Sequence, residues 1–482
     1  MTSFLDALQH EGTKTARTEN GAVTHSTSVN AVLDFFALAG AMRNNINDAK
    51  TLFRKALHED RQLAIRALFY LRDIRGGQGE RQLFRELFRE LIRIDLPLAE
   101  RVLQWIPEYG RWDDVVSVYG LVPDRAAALI TDQLYNDNVN LREGKGVSLL
   151  AKWLPSENAS SANSRTMARQ LATDLGMSNK EYRKQAVALR KHIGLLEQKM
   201  SENDWDEIQY DKIPSQAGRK HSKAFKRHDE YRYEDFLTAV MSGEKKMNAG
   251  TVFTYEVLDA IRKGQEQTAN AIWKSLPDWT NGENALVVAD VSGSMGDVRY
   301  GGGPIDVSVS LALYFAERNT GAFKDLFITF SSRPELVKVV GRTLTQKLMN
   351  IGIADWGYNT NIQAVFDLVL KAAVEADSDA TDIPKVIYII SDMEFDQAAS
   401  RNQTNFEVAK QKFANHGFVL PHIVFWNVAA RNTNVPATAG DRNVTLISGL
   451  SQSTFQYAVA GKTPLESMLD ILNGERYAQI TV

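Results

Sequence analysis

Asp290, Ser292 and Ser294 alternate in Asp290-Val291-Ser292-Gly293-Ser294, directly after the apolar run Ala285-Leu286-Val287-Val288-Ala289. In an extended segment, alternate side chains share one side. One carboxylate and two hydroxyls would then converge at the end of a buried strand. Hard oxygen donors in that arrangement suit a small divalent cation such as Mg²⁺. Thr360, in Trp356-Gly357-Tyr358-Asn359-Thr360-Asn361, adds a third hydroxyl just before a helical stretch. Asp392, in Ser391-Asp392-Met393-Glu394, adds a second carboxylate after the run Val386 to Ile390. The set Asp290, Ser292, Ser294, Thr360 and Asp392 is oxygen-only, which selects Mg²⁺, Mn²⁺ or Ca²⁺ over Zn²⁺. Hydroxyl ligands leave the cation's charge undercompensated, so a partner's acidic group can complete its coordination. The plainer reading is that these Asp and Ser residues only cap helices.

Such donors need a sheet to position them. From residue 282 onward, apolar runs alternate with helical patterns. Strands are expected at Ala285 to Ala289, Leu326 to Phe330, Lys385 to Ile390, Val419 to Trp426 and Val444 to Ile447, and helices at Val307 to Arg318, Ile362 to Ala373 and Asn405 to Asn415. Continuous apolar strands between helices predict a mostly parallel sheet covered on both faces. Ligands bind such sheets at the carboxyl ends of strands, near the topological switch point.

Residues 1–281 read differently. Leu83, Phe84, Leu87, Phe88, Leu91 and Ile92 recur at helical spacing, and similar faces recur at 52–57, 63–68 and 98–106. Consecutive amphipathic helices predict a HEAT-like repeat able to close into a ring. An irregular helical domain satisfies the same pattern. Within this part, 182–233 is basic and aromatic. Arg183, Lys184, Arg190 and Lys191 are spaced to share a helix face, and Arg219, Lys220, Lys223, Lys226 and Arg227 follow. Cations beside rings such as Tyr231 and Tyr233 are what an RNA surface needs. A solvated basic face balanced by nearby acids is the alternative.

Bulk properties bound the rest. The chain has 482 residues, net charge −3 and no cysteine. Length suggests two or three domains. The charge excludes a generally polybasic nucleic-acid binder. Absence of cysteine excludes disulfides, thiolate zinc sites and Cys nucleophiles. No apolar run approaches the roughly 18 residues of a membrane span. A cytoplasmic protein without membrane attachment is expected.

Residues 285–447 resemble a von Willebrand factor type A domain, and Asp290-Val291-Ser292-Gly293-Ser294-Met295 resembles its metal-ion-dependent adhesion site. The resemblance implies metal contacts from Ser292, Ser294 and Thr360, with Asp290 and Asp392 acting directly or through water. Asn359 stands where many such domains have Gly. The segments Arg72-Asp73-Ile74-Arg75-Gly76-Gly77-Gln78-Gly79-Glu80-Arg81 and Pro107-Glu108-Tyr109-Gly110-Arg111-Trp112-Asp113-Asp114 resemble an uncharacterised family that is similar to the TROVE or Ro proteins. That likeness implies a ring of helical repeats holding structured or single-stranded RNA. Read without it, the glycines of 76–79 end one helix before Glu80 and Arg81 start the next, and no P-loop Lys-Ser/Thr follows.

The expectation is therefore a non-catalytic ribonucleoprotein scaffold, with a helical module over 1–281 and a metal-dependent, acid-binding domain over 282–482. One alternative is a protein-interaction module of an assembly or chaperone system, without RNA. The other is a nuclease using Asp290, Asp392, Glu394 and Asp396 as metal-binding carboxylates.

Overall fold

The computed structural model describes residues 15–482 except 281, 283, 297–302, 331–333, 352–359, 376–382, 398–402 and 458–459. Up to residue 275 it is mostly helical, and from 285 helices alternate with the strands of a mixed sheet. A short hairpin, β1 (Thr15–Arg17) and β2 (Val23–His25), precedes the helices.

Local sequence sets the helix limits. Asp60 accepts from Leu63 N at 2.9 Å and Asp95 from Leu98 N at 3.2 Å, each capping the helix that follows. Ser178 with Glu181, Thr404 with Glu407, and Thr463 with Glu466 form capping boxes. The helix Gln82–Ile94 buries Leu83, Phe84, Leu87, Phe88 and Leu91 on one face, as its spacing predicts.

The sheet has order β5-β4-β3-β6-β7-β8, from β3 (Ala285–Ala289), β4 (Leu326–Thr329), β5 (Leu336–Lys338), β6 (Val386–Ser391), β7 (His422–Asn427) and β8 (Val444–Ser448). All neighbours are parallel except β4 with β5. Counting from β3, this is the 3-2-1-4-5-6 order of doubly wound α/β sheets. Chain direction reverses its outward progress between β3 and β6, so that pair flanks the switch point. The antiparallel edge strand β5 was not expected from sequence, where its three residues, two of them exposed, carry little signal.

The helical part lies directly on this sheet. The helix Pro304–Arg318 is buried over Ile305 to Ala316, as a helix covered on all sides must be. It packs on β3 and also meets the helix Thr254–Arg262, where Thr254 and Ser310 share a hydrogen bond of 2.8 Å and Arg262 pairs with Asp306 at 2.5 Å. Buried apolar residues from Ala22 to Ile480 form one connected core.

The two motif segments meet in this core. Arg72 Nε donates to Asp114 Oδ2 at 2.8 Å, and Arg85 Nε to Asp114 Oδ1 at 2.6 Å. The turn 73–80 does separate two helices, as read, but it also presses on the sheet. Gln78 Nε2 donates to the Ser448 carbonyl at 3.0 Å, and Ser453 Oγ donates to the Gly77 carbonyl at 3.1 Å. A Cβ at Gly77 would lie 2.1 Å from the Tyr70 carbonyl oxygen, so the close approach requires glycine. Among the described residues, no helix is long and apolar enough to cross a membrane.

Candidate metal centre

β3 is wholly buried and delivers Asp290 to its carboxyl end beside β6, where Asp290 N donates to the Ile390 carbonyl at 3.0 Å. The loops after the two strands are then tied together. Ser391 Oγ donates to Asp290 Oδ2 at 2.5 Å, and Ser292 N donates to Asp290 Oδ1 at 2.9 Å. The second bond closes an Asx turn. A 3-10 turn over Gly293–Met295 follows and brings Ser292 Oγ and Ser294 Oγ to 2.9 Å. The hydroxyls thus converge, but through two successive turns rather than through extended alternation.

Asp392 repeats the device, accepting from Glu394 N at 3.2 Å through Oδ1. Met393 between the two acids has φ +67°, a left-handed conformation costing a non-glycine residue about 1–2 kcal/mol. Strain of this kind is characteristic of binding sites. Thr360 joins the Asp392 side: its hydroxyl donates to Asp396 Oδ1 at 2.8 Å, and its carbonyl accepts from Asp396 N at 3.1 Å. The preceding loop, 352–359, including Asn359, lies outside the described residues.

Asp290, Ser292, Thr360 and Asp392 are each at most 3% exposed. Burial, and then the neighbouring Asp392, push the Asp290 carboxyl up to about 6. Among the described residues Asp392 Oδ2 is buried and accepts no hydrogen bond, its ion-pair partner being the Arg431 guanidinium at 3.4 Å. A buried carboxylate oxygen without a hydrogen bond and paired hydroxyls fit a hard divalent cation. Among the described residues no group of three or more His, Cys, Asp or Glu could hold a metal, so hydroxyl donors would be required.

Glu394 and Asp396 have other commitments. Glu394 Oε1 accepts from Asn432 Nδ2 at 2.7 Å and Oε2 from Glu19 N at 2.5 Å, and burial raises this carboxyl above its ordinary range. Asp396 holds Thr360.

Sequence reasoning did not find Glu19, Asn20 or Arg431. Asn20 Nδ2 donates to Thr360 Oγ1 at 2.8 Å and to the Glu394 carbonyl at 2.7 Å, so the β1–β2 hairpin sits on these loops. The Asn20-Gly21 dipeptide, with Gly21 at φ +85°, was the available hairpin signal. Nothing local marks Arg431.

The basic residues divide in two. Arg190 gives its guanidinium to the carbonyls of Ala151 and Leu154 at 2.8 and 2.7 Å. Arg219 pairs with Glu256 at 2.9 Å, and Lys226 with Glu234 at 3.3 Å. Arg183, Lys184, Lys191, Lys220, Lys223 and Arg227 are exposed. The first three lie on the helix Asn179–Ile193 and the others on the helix Ser215–His228. Nearby, the Trp205 and His228 rings stack at 4.4 Å, and Tyr231 is 86% exposed.

Together these elements define a doubly wound α/β sheet with an extensive helical part. The chain belongs to the family described as domain of unknown function DUF2828, matched over residues 18–92 and 116–281, which is half its length. Residues 284–468 match a second domain of unknown function, DUF7788. The uncharacterized protein L728 of Acanthamoeba polyphaga mimivirus is 28% identical, over 94% of this chain and 86% of that protein. The crystal structure of Deinococcus radiodurans RO (RSR) protein aligns over 93% of both chains at 11% identity, with a TM-score of 0.39. At that score the likeness supports no conclusion about function.

Proposed function

We propose that this protein is a non-catalytic scaffold whose C-terminal half, a von Willebrand factor A-like domain, binds an acidic protein ligand through one divalent cation. The observation that carries this reading is the buried Asp392 Oδ2, which among the described residues accepts no hydrogen bond, beside buried Asp290 and the Ser292–Ser294 hydroxyl pair at the switch point of the sheet. Ser292, Ser294 and Thr360 would hold Mg²⁺, or Mn²⁺ or Ca²⁺, with Asp290 and Asp392 supplying charge. The cation would supply an electrophilic position that an incoming carboxylate oxygen can fill. The commitments of Glu394 and Asp396 favour ligand capture over two-metal nuclease chemistry. Mn²⁺ titration followed by electron paramagnetic resonance tests it: stoichiometric binding by the native chain and none by Ser292→Ala/Ser294→Ala is expected. Equal binding by both would refute it.

The exposed cations favour a second role, in which the helical part, read as a HEAT-like, Ro-like module, holds RNA. Lys220, Lys223 and Arg227 are all exposed on the helix Ser215–His228, whose last residue supplies the His228 ring of the Trp205–His228 stack, with exposed Tyr231 just beyond. Filter binding across a salt series should show a slope that falls by about 2 when these three become Ala, at about 0.7 per single-strand phosphate contact. An unchanged slope would remove this role and leave a protein-interaction module for assembly, without RNA. A cytoplasmic location suits either role.

A further inference from the structure

The β1–β2 hairpin is bound to the loops of the candidate metal centre by more than one contact. Thr18 Oγ1 donates to the Phe395 carbonyl at 2.7 Å, Glu19 N to Glu394 Oε2 at 2.5 Å, and Asn20 Nδ2 to Thr360 Oγ1 at 2.8 Å. Isolated bridges join Gly21 to Asp396, Val23 to Thr404 and His25 to Val435. The tip of this hairpin carries one carboxylate, Glu19. Glu19 Oε2 accepts from Arg431 Nη1 at 2.8 Å. Arg431 Nη2 reaches the other way, donating to the Ser294 carbonyl at 2.7 Å and lying 3.4 Å from Asp392 Oδ2. One guanidinium therefore separates a carboxylate on an exposed turn from the acids and hydroxyls of the centre.

We propose that Arg431 is the residue that reads a ligand carboxylate at this centre, and that Glu19 is the intramolecular carboxylate it now holds. The inference rests on the metal reading above and names its partner more closely: an acidic side chain presented on an exposed protein turn. A planar guanidinium suits this task, because it can hold a carboxylate with one edge and protein carbonyls with the other. Its charge beside Asp392 also tempers the repulsion between Asp290 and Asp392 when no cation is present. Asn20 adds a second element of mimicry, since its amide caps the hydroxyl of a proposed metal ligand. A tethered turn is present at high effective concentration, so an external acidic turn must compete with it. Glu19 is 53% exposed in its side chain and Arg431 37%, so the hold is weak enough to be displaced.

The test uses the full chain and a fluorescein-labelled peptide copying residues 15–25, with Mn²⁺ present. Fluorescence anisotropy measures peptide binding, and electron paramagnetic resonance measures Mn²⁺ binding on the same samples. Glu19→Gln should bind the peptide roughly two- to fivefold more tightly than the native chain, the scale of a part-exposed ion pair. Glu19→Gln/Asn20→Ala should gain further, and hydrogen exchange at 16–25 should speed up in both. Arg431→Gln should lose peptide binding while keeping Mn²⁺, and a peptide with Gln in place of its Glu should gain nothing from any variant. If Mn²⁺ binds every protein but peptide affinity does not change, the roles of Arg431 and Glu19 are wrong and the metal reading stands. If Mn²⁺ binds none of them, both fall.

Discussion

Asp290→Asn should stabilise the metal-free protein while abolishing its response to Mg²⁺. Asp290 is fully buried, and its carboxyl is held up to about 6 against an ordinary 3.8. Above pH 6 the side chain is ionised in both folded and unfolded states, and the folded state carries the cost. At about 1.4 kcal/mol per pH unit, the gap from 3.8 to about 6 corresponds to about 3 kcal/mol. The cost is raised-carboxylate in sign: it is absent below pH 3.8, grows as pH rises, and is complete above pH 6. At pH 4.5 it has shrunk to about 1 kcal/mol. Asparagine keeps an oxygen for Ser292 N, and its amide can donate to Ser391 Oγ, so the hydrogen-bond loss is small beside the charge removed. Urea denaturation in EDTA at pH 7.5 should therefore show the variant about 1–3 kcal/mol more stable, with the advantage narrowing at pH 4.5. Mg²⁺ at a hundredfold excess over its Kd should restore about 2.7 kcal/mol to the native chain and nothing to the variant. A variant less stable than the native chain in EDTA at pH 7.5, or an equal Mg²⁺ response from both, would refute the reasoning.

Three further outcomes are expected. His422 is buried on β7 with Nε2 2.8 Å from Thr445 Oγ1, and burial lowers it to about 4. Only the unfolded chain then takes up this proton below pH 6.5, so the native protein should lose about 3 kcal/mol relative to His422→Gln as pH falls from 6.5 to 4, read by urea denaturation. Asp114→Ala strands the buried Arg72 and leaves Arg85 only its pair with Asp113 at 2.8 Å, and should cost about 3–5 kcal/mol in chemical denaturation. A loss below 1 kcal/mol would show that water replaces the carboxylate. Gly77→Ala drives a methyl group toward the Tyr70 carbonyl and should cost at least about 2–3 kcal/mol in melting experiments.

Much of this architecture is legible in the sequence. Most strands and helices from 285 to 448 follow from apolar runs and capping residues, and the helix Asn405–Asn415 starts and ends where its sequence says, but β5 and the helix Leu344–Ile351 were not read, and the helix expected from Val307 begins at Pro304. Part of the expected donor set was local, because Asp290, Ser292 and Ser294 fall within five residues of a buried strand, whereas Thr360 and Asp392 lie on loops far along the chain. Periodicity could show that residues 31–275 are mostly helical, but neither the hairpin at 15–25 nor how those helices pack, since an amphipathic face does not name its partner. The basic segment shows the same limit. Its charges are plain in sequence, yet Arg190 and Arg219 turn to carbonyls and carboxylates that lie far along the chain.

Composition and local pattern thus determined a loop of Asp and Ser residues at a strand end, a mostly parallel sheet, and cationic helices in a chain without cysteine. Only the tertiary structure decided what surrounds that loop. The hairpin at 15–25 and Arg431 come from opposite ends of the chain, and the glycine-rich turn proved to be a seam against Ser448 and Ser453. Short-range sequence encodes backbone conformation and burial. Which distant side chains meet is set by the packing of one shared core, and no local window contains that information.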